Sequence, residues 1–276
     1  MNSEEQEKAR DRSVGLDMAY FSAQSTRIES VSVAAGSDLD SHAGSFTDLQ
    51  EHLNPTYVAW RAIASASEHA GFAEFARFAS RGGVVARPNG SLARAALLGA
   101  AKAIYLLSPD DPGERVVRAA RLANTEAADA ERMIQNWGAQ DNPVGTLGNL
   151  VEQSQDLATE AARILMSAGV NGGSKINETE LLKAAVAALP VAPFDSEVQA
   201  LTLWNRLSGV AHSRAWTWSV PTGVVPREDF VETWYLPVVL LAEAWRLWNL
   251  RRGASSTPHS APDYWEPDPR RWLNGH

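Results

Sequence analysis

No cysteine occurs in the 276 residues, so disulfides, thiolate zinc sites, iron–sulfur clusters and cysteine nucleophiles are excluded. Several nucleotide, metal and nucleophile signatures are missing too. There is no Gly-x-x-x-x-Gly-Lys or Gly-x-Gly-x-x-Gly loop to cradle phosphates, and no His-Glu-x-x-His zinc pattern. There is no Glu-x-x-His pair of the kind that di-iron bundles use, and no Gly-x-Ser-x-Gly nucleophile elbow. The expectation is a protein without a cofactor or a metal. Long apolar runs are also scarce. Leu92–Leu107 is interrupted by Arg94 and Lys102, and Leu236–Leu250 by Glu243 and Arg246, so neither reads as a membrane span of ~20 apolar residues. Met1–Arg12 is highly charged and has no apolar centre, unlike a secretory signal. Together these absences point to a cytoplasmic chain with no membrane partner.

Positive charge is in deficit as well. The formal net charge of −8 repels a phosphate backbone at long range, which disfavours broad nucleic-acid binding and leaves room only for a local basic contact. A hydrophobic fraction of 45% is enough to build a sizeable core.

The pattern of what is present is helical. Residues 1–13 read as a mobile leader, 14–252 as a single helical domain and 253–276 as an irregular tail holding four prolines. Val14–Val33 has room for a helix, and Ala34–Thr47 reads as a loop. Asn54 and Pro55 form a capping residue and a first-turn proline. Val58, Ile63, Ala66, Ala70, Phe72, Phe75 and Phe78 then recur at helical spacing as an expected inward stripe. Asn89-Gly90-Ser91 is expected to open a buried helix ending at Leu107. Ser108–Pro112 is a turn that launches Glu114–Trp137, with Arg115, Arg118 and Arg121 away from the apolar stripe. Helices are expected over Leu147–Ala168, closed by Gly169, and over Glu178–Leu189, Glu197–His212 and Glu228–Arg251, the last kinked at Pro237. Pro221-Thr222-Gly223 is a turn able to join two short strands. The sum is an all-α, irregular bundle of about seven helices with no fixed-period repeat.

Three groups carry chemistry. Asp38, Asp40 and His42 lie close in sequence, a loop composition able to hold a hard cation or simply to be polar. Glu68 and His69 are adjacent on a helix and so point about 100° apart, which does not make a dyad. The third group is Trp204-Asn205-Arg206-Leu207-Ser208-Gly209-Val210-Ala211-His212. An imidazole moves protons near neutral pH, and a guanidinium holds a phosphate with a bidentate fork. Those are the groups that metal-free cleavage of RNA requires. Six residues on a straight helix turn Arg206 and His212 about 240° apart, whereas Ser208 and His212 share a face. A Ser208–His212 hydrogen bond anchoring the helix end is therefore the alternative reading of the same residues. Ten tryptophans, crowded in the C-terminal half, are expected to fill core or interface space.

The Arg-x5-His string on a late helix of an all-α domain resembles the Arg-x4–6-His signature of the HEPN superfamily. That resemblance implies a HEPN-like bundle and a homodimer with the two motifs facing each other. It also implies a metal-independent ribonuclease of toxin or phage-defence type, with an RNA substrate and a protein partner such as an antitoxin. Arg206 would bind the scissile phosphate and His212 would move the proton, with Asn205 and Ser208 supporting. Here Leu207 follows the arginine, where the family usually has a polar residue, and Asn205 precedes it. Leu106–Arg115 together with Leu207–His212 also resembles a group of uncharacterised actinobacterial proteins, over about Glu51–Trp218. The other reading is a non-catalytic helical protein that binds a partner or a small molecule, with these residues structural.

Overall fold

The computed structural model describes residues 3–42, 48–80, 86–138, 146–190, 196–212 and 227–253. All regular structure among them is helical. In chain order the helices are α1 (Ser3–Ser25), α2 (Ile28–Val31), α3 (Pro55–Ala79), α4 (Ala86–Leu107) and α5 (Pro112–Gly138). They are followed by α6 (Thr146–Ser167), α7 (Glu178–Ala187), α8 (Ser196–Ala211) and α9 (Arg227–Arg251). The all-α expectation holds, with nine helices among the described residues rather than about seven. The expected turn at 221–223 and the tail after Gly253 lie outside them.

Helix α4 is the centre. It packs against α3, α9, α8 and α7, while α1 lies across α3 and α9. Its composition makes this possible, because alanines and glycines let neighbouring backbones come close. At Gly99 a Cβ would stand 2.8 Å from the Ala62 carbonyl oxygen of α3, a contact that only glycine allows. A window in α4, Pro88–Leu107, is long and apolar enough by composition to cross a membrane, and 61% of it is buried inside the protein. Helices α5 and α6 pair beside this core around a smaller cluster with Ala120, Ala123 and Leu165.

Local signals set several boundaries as expected. The Asn54 side chain accepts from Thr56 N–H and Pro55 opens α3. Asp111 accepts from the N–H groups of Gly113 and Glu114 at the start of α5. Gly169 follows α6 with φ +73°, the left-handed geometry of a helix C-terminus. Asn177 and Glu180 close a reciprocal capping box on α7. Helix α9 continues on both sides of the buried Pro237. Trp204, Trp234, Trp245 and Trp248 are buried, as expected of core tryptophans. Their ring nitrogens need partners there. Trp245 Nε1 donates to Ser67 Oγ at 3.2 Å and Trp248 Nε1 to the Ser30 carbonyl at 2.8 Å.

Four expectations are corrected. Helix begins at Ser3, inside the stretch read as a leader, and Asp11 is buried with its carboxylate 3.0 Å from Arg77 of α3. Asn89-Gly90-Ser91 lies within α4 rather than opening it. Asn89 accepts from Trp234 Nε1 at 2.7 Å, and a Cβ on Gly90 would meet Val210 of α8 at 3.0 Å. Phe72, Phe75 and Phe78 point outward, 60%, 65% and 81% exposed, because the alanine face through Ala66, Ala70 and Ala73 takes the inside of α3. Arg115 is completely buried. Its guanidinium donates to the carbonyls of Pro109 and Asp110, both at 2.9 Å, and of Asp38 at 3.1 Å. Arg251 joins it from the end of α9, donating to the Leu107 carbonyl at 3.2 Å and the Asp38 carboxylate at 2.7 Å, and pairing with Asp110. The two cations thus satisfy carbonyls at and after the end of α4, which have no intrahelical donor.

Candidate functional site

The Arg206–His212 segment is built on α8. Leu203, Trp204 and Leu207 turn inward and anchor the helix. One position before Leu207, Arg206 reaches α9, donating to Thr233 Oγ1 at 3.2 Å and standing 3.9 Å from the Glu232 carboxylate. Its side chain is 40% exposed. His212 follows the last helical residue and is exposed. Asn205 is exposed and Ser208 half-buried. The link between Ser208 and His212 is made by the backbone, with the His212 N–H donating to the Ser208 carbonyl at 3.0 Å. No side-chain hydrogen bond joins them. The structure therefore places Arg206 against α9 and His212 in solvent at the helix end. It does not gather the two around one cleft within a single chain.

The other sequence candidates are tied up locally. Asp38 is held by Arg251, and Asp40 accepts from the Gly36 N–H at 2.8 Å. Among the described residues no three His, Asp or Glu side chains gather as metal donors. His42 is buried, and its Nε2 has no hydrogen-bond partner. Burial, and next the Arg115 cation, hold its pKa below the ordinary 6.5, with Asp38 opposing them. His69 Nδ1 donates to the Ser65 carbonyl one turn back, at 2.6 Å, while Glu68 faces solvent.

A different place has the shape of a binding site. A groove of about 440 Å³ lies between α3, α4 and α7, bordered by α5. That volume is in the range of small-molecule sites. Val58, Ala62, Leu98 and Leu181 make its floor. Arg61, Lys102, Glu126 and Glu178 make its rim. Lys102 Nζ is 3.0 Å from Glu126, and Glu178 is bound by Arg94 at 3.2 Å. Arg94 also lies over the Trp204 ring, 4.4 Å from its centroid, which fixes α4, α7 and α8 together. Arg61 is different. Its guanidinium sits 5.6 Å from the centre of the Tyr57 ring, and no carboxylate among the described residues is within ion-pairing distance. Exposed His52 lines this groove and also a second hollow of about 360 Å³ between α5 and α6, so the two share an edge. None of this lining was singled out from the sequence as functional. The available signals were Tyr57 and Arg61, four apart on one helix face, and Lys102, a lone cation in an alanine- and leucine-rich run.

Comparison with known proteins adds no constraint: no family model matches the chain, and neither does any curated protein or solved structure.

Proposed function

We propose that this chain is a non-catalytic helical bundle that binds a small anionic molecule in the groove between α3, α4 and α7. The observation that carries this reading is Arg61, a rim guanidinium without a carboxylate partner among the described residues, above an apolar floor. The other rim charges are matched, Lys102 by Glu126 and Glu178 by Arg94. A carboxylate or phosphate would pair with the Arg61 fork, and an apolar body would cover Val58, Leu98 and Leu181. The test is calorimetric titration with a panel of aromatic and aliphatic carboxylates and phosphate monoesters, on the parent protein and on Arg61→Ala. Saturable binding by the parent that weakens at least tenfold in the variant is expected. Equal binding by both would refute the role of Arg61.

A second reading keeps Arg206 and His212 as the metal-independent ribonuclease pair, with Asn205 and Ser208 in support. The observation in its favour is that His212 is exposed and the Arg206 side chain, though held against α9, is 40% exposed. In a dimer, the motifs of two chains would supply the cleft that one chain lacks. Incubation with total RNA in the presence of a chelator decides it. Cleavage by the parent and none by His212→Ala is the expected result under this reading, and RNA left intact by the parent would end it.

A further inference from the structure

We infer that the C-terminal half of α3 is a self-association surface, occupied by a second copy of this chain. The inference does not depend on the groove. Phe72, Phe75 and Phe78 stand on one helix at intervals of three residues, 60%, 65% and 81% exposed. At about 200 Å² per phenylalanine side chain, they present roughly 400 Å² of aromatic surface. Leu16 of α1 is also exposed, at 47%. Its neighbour Gly15 is where α1 crosses Glu74 and Arg77 of α3. A stable interface needs about 800 Å² from each partner, so the phenylalanines alone supply about half. A patch of about 400 Å² lies within the roughly 300–600 Å² of the largest patch on a typical monomer, which is often functional.

Three features select a second copy over other occupants. The spacing is self-complementary: Phe72 and Phe78 each lie three residues from Phe75. A two-fold axis at Phe75, with the two α3 helices antiparallel, sets Phe72 of each copy against Phe78 of the other. The charge beside the patch is closed. Arg77 is bonded by both Glu74 oxygens, at 2.6 and 2.7 Å, and by Asp11 at 3.0 Å, so this cation is already matched and does not call for a charged partner. The acidic chain also repels an anionic lipid surface.

The absence of cysteine gives a direct test. Phe75→Cys carries the only thiol in the molecule, placed on the proposed axis. Oxidation should convert it to a covalent dimer, whereas Met166→Cys, equally open on α6 at 62% exposure, should stay monomeric. Sedimentation of the parent from low micromolar to about 100 μM should show a dimer. Phe72→Glu/Phe75→Glu should sediment as a monomer with unchanged circular dichroism, which separates lost association from lost folding. A parent that stays monomeric across that range overturns the inference, as does a dimer that survives the double substitution. Equal crosslinking through Met166→Cys overturns it too. A monomeric parent that co-sediments with phosphatidylcholine vesicles would assign the patch to a lipid surface instead.

Discussion

Replacing Trp234 by phenylalanine probes the hydrogen bond that ties α9 to α4. The indole Nε1 donates to Asn89 Oδ1 at 2.7 Å, and both residues are buried. Phenylalanine removes the donor and part of the ring. An orphaned buried carbonyl costs about 1–3 kcal/mol. The missing ring volume adds about 1–2 kcal/mol, scaled from large-to-small core substitutions. Trp234→Phe should therefore lose about 2–5 kcal/mol in total. Asn89→Ala orphans the indole N–H instead and should lose about 1–3 kcal/mol. In the double variant neither orphan remains, so the single losses should exceed their combination by about 1–2 kcal/mol. Urea unfolding followed by far-ultraviolet circular dichroism measures all four proteins, with equal m-values as the check that the unfolded states match. If Asn89 acted only as a helix opener, its loss would be independent of Trp234. A coupling below about 0.5 kcal/mol would refute the reasoning.

Two further outcomes follow from packing and charge. Gly99→Ala gains about 1 kcal/mol of helix propensity, yet its Cβ meets the Ala62 carbonyl at 2.8 Å and Ala66 Cβ at 3.0 Å. It should be less stable by about 1–3 kcal/mol, read as a lower Tm. Gly113→Ala, where the nearest atom is 3.4 Å away, should not be destabilised, and the reverse order would sink this account of how α4 is packed. His42 has its pKa lowered below 6.5 by burial and then by Arg115. Between the lowered value and 6.5 the unfolded chain binds more protons than the folded one. The stability of the neutral ring is thus complete above 6.5 and falls with pH through that window. Urea midpoints measured down that range should decline more in the parent than in His42→Gln, and parallel curves would contradict the assignment.

Short-range signals in the sequence proved reliable where the physics is short-range. Asn54-Pro55, Asp111 and Gly169 each satisfy or end a helix by contacts within a few residues, so their positions could be read directly. What depended on distant partners could not. The period that marks Phe72, Phe75 and Phe78 as helical is shared by the alanine face, and only the approach of α4 decides which of the two is inside. Arg115 looked like a surface cation because its partners, the carbonyls of Asp38, Pro109 and Asp110, are invisible to a charge count. Asn89-Gly90 has the composition of a helix start, yet its contacts are Trp234 and Val210, more than a hundred residues away. Of the candidate site, Arg206 lies on the expected helix and His212 just past its last residue, Ala211. The groove escaped notice because it takes residues from four helices, none of which carries a motif alone.

The reach of Arg251 bears on the order in which the molecule can be made. Its bond to the Leu107 carbonyl spans 144 residues, and its bond to Asp38 spans 213. A ribosome adding about 5–20 residues per second takes roughly 7–30 s to travel from Leu107 to Arg251. Throughout that interval α4 has emerged without the helix that covers one of its faces, and the carbonyls at its end have no cation from α9. Folding of this core is therefore tied to the synthesis of α9. A nascent polypeptide stalled before α9 would present an alanine-rich helix to whatever chaperone or neighbour meets it first.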